Sequence, residues 1–377
     1  MLTEITLRHF KSHRTTKLTL DESRLHAIVG QNSSGKTSIL QALHYLSQLV
    51  HRPFSAIFQY ERTPEYLVSS GEKQVEVIVD GYWGYNARQY WAASFSWEYQ
   101  EENDWHPSCT WKLNETTKES GGWSSYLADA PYPLPQALGR AIYLKLVASN
   151  LAQAAYSDEV VPRVGYDGSG LAPTLDYLRS ENPETFHKIQ ELLQHVVPGV
   201  RQMEVRRAKV EVLRQRTIEV DGKALPYEER REMTGQEVVF NMNSGERLPA
   251  HAISEGTILT LGLLTVLLNP HKPTLVLFDD IEQGLHPYAQ RELIRVIKQI
   301  LQENPNLQIL FSTHSPYIID ELMPSQVHVL NSTTQGFTLA NRLDQNPNAA
   351  WATQTLTTGE FWDAEGEAWV TGEAVSA

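Results

Sequence analysis

The chain has 377 residues, 41% of them hydrophobic, with a formal charge of −13 and a pI near 5.5. That length suits one large domain with insertions, or two domains. No apolar run approaches the ~18 residues of a bilayer-spanning helix, and the acidic balance argues against a chain that grips nucleic acid over its whole surface.

In chain order, MLTEITLRHF lacks a cationic segment leading into an apolar one, so no secretory leader is expected. EITLRHF and TTKLTL alternate like half-buried or edge strands, and RLHAIVG reads as a buried strand. Gly30-Gln-Asn32-Ser33-Ser34-Gly35-Lys36-Thr37 then matches G-x-x-x-x-G-K-[ST] without a gap. The chemistry asks for this spacing. Glycines let the backbone curl until successive N–H groups point inward at phosphate oxygens. From Gly35 to about Val50 apolar residues recur at helical spacing, so a helix starts there, through Ser38, and aims its positive end at the same place. Lys36 would reach the β- and γ-phosphates of ATP, and the Thr37 hydroxyl would ligate Mg²⁺.

Residues 73–125 are rich in aromatic and β-branched residues, with six of the nine Trp between Trp83 and Trp123. Antiparallel strands are expected here. The aromatics read either as a stacking platform for bases or adenine, or as a sheet packed on itself, the second being favoured. NETTKESGGWSS is expected as an exposed loop. Cys109 has no partner for a disulfide within the chain, which fits a reducing, cytoplasmic setting. Residues 171–197 read as two helices broken near ENPE, with Pro183 at a helix start. The strands that follow hold six Lys or Arg against two Glu from Arg201 to Arg216. This patch is either a solvated strand face, the favoured reading, or a contact for DNA or a partner.

SEGTILTLGLL, residues 254–264, puts Ser254, Glu255 and Gly256 ahead of an apolar helix, with Ser254 as its N-cap. Its first N–H groups make a second anion-binding helix start. One chain cannot easily aim two such starts at one γ-phosphate, whereas a head-to-tail pair can. TLVLFDD is a buried strand ending in Asp279 and Asp280, where a magnesium carboxylate is needed. Glu282 follows, then an amphipathic helix in YAQRELIRVIKQILQEN, then a buried strand and His314 in FSTHSP. A neutral imidazole there could hydrogen-bond a γ-phosphate or an attacking water. Strand, helix, strand implies a parallel sheet with helices on its faces. The tail GEFWDAEGEAWV, taken as one helix, aligns Phe361 with Glu365 and Trp369, and Trp362 with Gly366 and Val370. It reads as docked on its own head or as a docking peptide for a partner.

Phosphate loop, S-E-G-T, D-D-I-E-Q-G-L-H-P and S-T-H-S-P occur in the order seen in ATPases with an ABC-type head. Within that class the chain resembles the RecF/SMC/OLD group, especially its short stand-alone members, through LRHFKSHRTTKLTL and IEQGLHP. The motifs cover residues 1–50 and 243–325. The resemblance implies an α/β fold: a P-loop NTPase with a mixed, mainly parallel sheet, an antiparallel β subdomain and a helical insertion. Its expected boundaries are a split core of 1–72 and 236–340, an aromatic β region of 73–135, an insertion of 136–235 and an acidic tail of 341–377. It implies Lys36 and Thr37 for phosphate and Mg²⁺, Asp279 as the magnesium carboxylate and His314 as the switch histidine. Ser254 and Gly256 would complete the partner chain's γ-phosphate site. Phe10, Lys11 and Ser12 fall where the family's adenine and phosphate neighbours lie, and Gln59 is the candidate for the magnesium-linking glutamine.

One departure stands out. The family usually has Glu straight after the magnesium Asp, to orient the attacking water; this chain has Asp280, one methylene shorter. Glu282 could share that role or brace the turn. The expectation is slow hydrolysis and a long-lived ATP-closed homodimer. No long coiled coil and no C-x-x-C hook are present, and only about 60 residues follow His314, too few for the Toprim nuclease domain of OLD proteins. The resemblance thus implies an ATP switch that controls a separate effector, a nuclease or toxin, in bacterial anti-phage defence. The alternatives are a RecF-like DNA-repair ATPase that binds DNA through Arg201–Arg216, and a nucleotide-binding scaffold.

Overall fold

A computed structural model describes residues 1–58, 66–84, 88–100, 104–127, 130–220 and 223–372, with side chains except at 214–220 and 223–227. The strands, in chain order, begin with β1 (Leu2–Phe10), β2 (His13–Thr19), β3 (Leu25–Gly30), β4 (Gln74–Trp83), β5 (Gln89–Gln100), β6 (Asp104–Leu113) and β7 (Thr116–Gly121). There follow β8 (Ala141–Leu144), β9 (Val200–Val220), β10 (Lys223–Met242) and β11 (Arg247–Pro249). The last are β12 (Leu275–Phe278), β13 (Gln308–Ser312), β14 (Val327–Ser332) and β15 (Thr338–Arg342). The chain divides into two compact units: residues 1–143, 272–282 and 297–377, and residues 144–271 and 283–296.

The first unit carries the sheet that positions the site. Its strand order is β15-β14-β3-β13-β12-β8, with β14, β3, β13 and β12 parallel. β3, β12 and β13 are buried at every position, as strands covered on both faces must be. Phe278 pairs with Phe311 and Ser312 with Ile28, so the C-terminal ends of β12, β13 and β3 lie level. Ligands in such sheets bind along that edge. The helix Lys36–Gln48 leaves β3 through the glycine turn and buries Ile39, Leu40, Leu43 and Leu46.

A second, antiparallel sheet has the order β2-β1-β4-β5-β6-β7. Trp91 and Trp97 are fully buried there, and Phe58 meets Trp97 edge-on with centroids 4.6 Å apart. These aromatics are core, which removes them as a base-stacking platform. The loop expected in NETTKESGGWSS is corrected in part. Thr116–Gly121 forms β7, pairing with Leu113–Ser108 beyond a turn in which Asn114 has φ 51°. An edge strand with both faces in water has no apolar alternation to betray it.

In the second unit the helices Leu171–Glu181 and Pro183–Val196 break where expected. The Asn182 side chain caps the latter, accepting from the Thr185 N–H at 3.4 Å, with Pro183 in the first turn. β9 and β10 form a long two-stranded ribbon in continuous antiparallel register apart from one shift near Met242. The helix Glu255–Leu267 is buried at every position from Gly256 to Leu267.

The C-terminal segment is not one helix. Thr358–Glu365 is helical, Gly366 turns the chain at φ 58°, and Ala368–Thr371 starts again. Phe361 and Trp362 are buried, and the Gly359 N–H donates to Asp320 Oδ1 at 2.9 Å beside the helix Pro316–Ile319. No helix among the described residues is long and apolar enough to cross a membrane.

Candidate functional site

Two glycines shape the phosphate loop. Gly30 has φ 144°, and a Cβ there would strike the Leu330 carbonyl of the neighbouring strand. Gly35 has φ 95°, and a Cβ would lie 2.7 Å from the His13 ring and 2.8 Å from Thr338 Oγ1. Ser33 also sits at positive φ, 66°. The helix Lys36–Gln48 has neither a side-chain cap nor an acidic residue in its first turn, so its leading N–H groups are left for an anion. Asn32 and Ser33 are exposed, Ser38 is half-buried, and Ser34 is buried with an Oγ that has no protein partner.

Lys36 is buried, and its ammonium donates to the carbonyls of Gly30 and Gln31, both at 2.8 Å. Burial lowers its pKa below the usual lysine value, while Asp280, Asp279, Glu282 and Glu367 pull it back up. The cation thus faces a carboxylate cluster at the edge of the sheet. The Thr37 hydroxyl lies 3.0 Å and 3.2 Å from the two Asp279 oxygens. On the far side the Ser312 hydroxyl donates to Asp279 Oδ1 at 2.6 Å and accepts from the Asp280 N–H at 2.8 Å. Asp279 is buried, whereas Asp280 is exposed and held at φ 54°.

Glu282 Oε1 accepts from the His314 N–H at 2.7 Å, and its Oε2 is buried without a protein partner. That bond ties the turn after β12 to the turn after β13 and leaves the His314 ring exposed. The structure therefore brings Gly30–Ser38, Asp279, Asp280, Glu282 and His314 together at one sheet edge. Ser254, Glu255 and Gly256 lie in the other unit. There the Ser254 side chain caps the helix, accepting from the Thr257 N–H at 3.4 Å. Ser254 and Glu255 are exposed, and a Cβ on Gly256 would strike the Gly284 carbonyl. Gln59 lies outside the described residues.

Behind the loop lie supporting residues that no sequence motif marks. His13 is fully buried, with Nε2 3.1 Å from the Gly35 carbonyl oxygen and Nδ1 2.9 Å from Thr16 Oγ1. A carbonyl only accepts, so Nε2 carries the proton. Burial lowers the His13 pKa to about 4, against a smaller upward pull from the Gly35 bond, so the ring is neutral. Thr338 Oγ1 donates to the Ser34 carbonyl at 3.0 Å and lies 2.8 Å from Ser12 Oγ. Two adjacent loop carbonyls, those of Ser34 and Gly35, are thus held from behind. Of Phe10, Lys11 and Ser12, it is Ser12 whose side chain meets this support, at Thr338.

No group of three or more His, Cys, Asp or Glu among the described residues could hold a metal alone. The set at Thr37 and Asp279 is two oxygen donors on one side of the phosphate loop. It fits Mg²⁺, which takes few protein ligands and completes its shell with phosphate and water.

Residues 148–320 match the family model described as "AAA domain, putative AbiEii toxin, Type IV TA system", and residues 1–84 match the model "AAA ATPase domain". Over these two stretches the chain is similar to AAA-family ATPase domains. A curated relative, the Retron Vc95 probable ATPase of Vibrio cholerae serotype O1 biovar El Tor, is 28% identical over 136 residues. That match takes in 33% of this chain and spans only 25% of the relative's length. Two solved SMC heads are similar in fold. The SmcHead bound to the C-winged helix domain of ScpA is 15% identical, with TM-score 0.52 over 92% of this chain and 98% of that one. The Smc head with an extended coiled coil, bound to the C-terminal domain of ScpA derived from Pyrococcus furiosus, is 13% identical, with TM-score 0.53 over 94% and 99%. At that identity the likeness shows the fold alone.

Proposed function

We propose that this ATPase binds Mg-ATP at the phosphate loop, hydrolyses it slowly, and closes as a homodimer around it to switch a separate effector. The observation that carries the reading is the Thr37 hydroxyl against the Asp279 carboxylate at 3.0 Å, beside the buried Lys36. Lys36 would neutralise the β- and γ-phosphates, and the loop N–H groups would hold them. Mg²⁺, when bound by Thr37 and Asp279, would supply charge neutralisation at the phosphate oxygens. Water attacks the γ-phosphorus and the bond to the bridging oxygen of ADP breaks. Asp280 would orient that water from the exposed turn, and His314 would hydrogen-bond the γ-phosphate. Ser254 and Glu255, exposed at a side-chain-capped helix start, and the buried Gly256 behind them would meet the partner copy's nucleotide.

An effector of nuclease or toxin type, and a setting in anti-phage defence, rest on the family resemblance and on the retron ATPase relative. The RecF-like alternative has less support. Arg206 pairs with Glu237 at 2.8 Å and Lys209 with Glu232 at 2.8 Å, which neutralises two of the six cations in that stretch.

Light scattering with and without Mg-ATP tests the switch. The parent chain is expected to double its mass with Mg-ATP, and Lys36→Ala to stay at one chain. A parent that stays at one chain when saturated overturns the dimer, while a steady-state phosphate-release assay judges hydrolysis separately.

A further inference from the structure

The second unit holds an open groove of about 590 Å³ between the helix Leu171–Glu181 and the base of the β9–β10 ribbon. Its volume lies in the range of small-ligand sites. The residues that matter are Asp176, Arg179, Ser180, Arg207, Thr234 and Gln236. Cross-strand register decides which of them face inward. Arg207 pairs with Gln236, and Arg206 with Glu237. Alternation along a strand then puts Arg207, Gln236 and Thr234 on one face and the Arg206–Glu237 ion pair on the other.

Part of this lining is satisfied internally. Arg179 donates through Nη1 to the Val205 carbonyl at 2.8 Å and through Nη2 to Asp176 Oδ1 at 2.6 Å. Gln236 Nε2 donates to Asp176 Oδ2 at 3.2 Å, so both Asp176 oxygens are engaged. Ser180 donates to the Asp176 carbonyl at 3.1 Å.

Three groups remain. The Arg207 guanidinium and the Thr234 hydroxyl have no hydrogen bond or ion pair among the described residues. Gln236 Oε1 is buried and has no donor. Arg179, Arg206 and Arg207 line the groove against Asp176, and with Arg206 paired to Glu237 the groove keeps an excess positive charge. A buried acceptor without a donor is costly. The lining therefore suits a ligand with two features: an anionic group for the Arg207 fork and Thr234, and an N–H or O–H for Gln236 Oε1.

We propose that this groove is a nucleotide site separate from the phosphate loop. The phosphate sits on Arg207, and a base or sugar donor bonds Gln236. Arginine favours this because its planar fork takes phosphate oxygens bidentately. The source is either a free mononucleotide or a nucleotide within a single strand. The proposal does not rest on hydrolysis at Lys36.

Calorimetric titration of the full-length Lys36→Ala chain, with 5′-AMP in one arm and a 5′-phosphorylated ten-residue oligo(dT) in the other, tests it at low salt. At least one probe is expected to bind at one per chain. Arg207→Glu should weaken that binding at least tenfold, Gln236→Leu severalfold, and Arg207→Lys should fall between the parent and Arg207→Glu. Binding of AMP assigns a free nucleotide. Binding of the oligonucleotide alone, with a salt slope reduced by about one in Arg207→Ala, assigns a strand. If neither probe binds, or if Arg207→Glu binds as well as its parent, the groove is not a nucleotide site.

Discussion

The Thr37 hydroxyl and the Asp279 carboxylate meet 3.0 Å apart although 242 residues separate them in sequence. One comes from the first turn of a helix, the other from the end of a buried strand, and Ser312 fixes the carboxylate from its other side at 2.6 Å. Asp279→Asn keeps the shape but removes the charge. It should lower kcat/KM for ATP hydrolysis by roughly 10²–10³, the range for losing one preorganised electrostatic group. Thr37→Ala should fall in the same range, and the double variant should be little worse than the poorer single, because the two act as one unit. Steady-state phosphate release across the four proteins measures this. Fully additive losses would show that the pair does not work together.

Asp280 is proposed to orient the attacking water, and its length is expected to limit the rate. Its carboxylate stands about 1.5 Å short of where glutamate would place it on the same backbone, taking one C–C bond length. A misplacement of that size can cost about a hundredfold. Its N–H is held by Ser312 Oγ at 2.8 Å, so the backbone has little freedom to compensate. Asp280→Glu is therefore expected to raise steady-state turnover, by up to about a hundredfold. Glu282→Gln should act differently. One Glu282 oxygen is committed to the His314 N–H, and a glutamine carbonyl can still accept that bond. Glu282→Gln should therefore change turnover less than Asp280→Asn does. The reverse ranking would make Glu282 the residue that orients water.

Buried neutral histidines make stability sensitive to acid. Burial lowers His13 and His44 to about 4 and His328 to about 3, all from 6.5. Above pH 6.5 both folded and unfolded chains hold these rings neutral, and stability does not change on their account. Below 6.5 the unfolded chain takes up protons that the folded one refuses, so stability falls until about pH 4, where His13 and His44 also protonate in the fold. Each ring contributes a loss of up to about 1.4 kcal/mol per pH unit in that window. His44 Nδ1 has no protein partner, so His44→Phe removes one titration without cutting a bond to it. Urea unfolding at pH 7, 6 and 5 should show a steep decline in the parent and a shallower one in His44→Phe. Equal slopes would mean that His44 is not kept neutral by the fold.

The local parts of this fold were legible in the sequence. The phosphate loop, its flanking strand and helix, and the Ser254 cap each depend on residues within a few positions of one another. The order of motifs also placed Asp279 and His314 on one edge, because parallel strands put their C-terminal ends together. What stayed hidden was fixed by distant neighbours. Ser312 reaches Asp279 across 33 positions, and His13 reaches Gly35 across 22. Nothing local marks either residue, although Ser312 does lie two positions before His314 at a strand end. β7 was hidden because an exposed edge strand reads as polar loop. In the tail, helical spacing continued through Gly366, but the backbone there takes φ 58°, which a glycine allows and a helix does not.

That broken tail bears on what the C-terminus is for. Phe361 is 1% exposed and Trp362 8%, both on a helix closed by a Thr357–Glu360 capping box. The Thr358 hydroxyl also donates to the Leu322 carbonyl at 2.7 Å. A peptide kept free for a partner would not bury both aromatics in its own chain. Phe361→Ala should cost about 3–5 kcal/mol, the usual range for a buried aromatic, and lower the melting temperature with it. Removing residues 358–377 should cost more, and the chain should lose its cooperative thermal transition or become insoluble. Calorimetry on the parent, Phe361→Ala and the truncation measures this. A truncated chain that melts as the parent does, yet no longer co-purifies with a partner, would turn the segment back into a docking peptide.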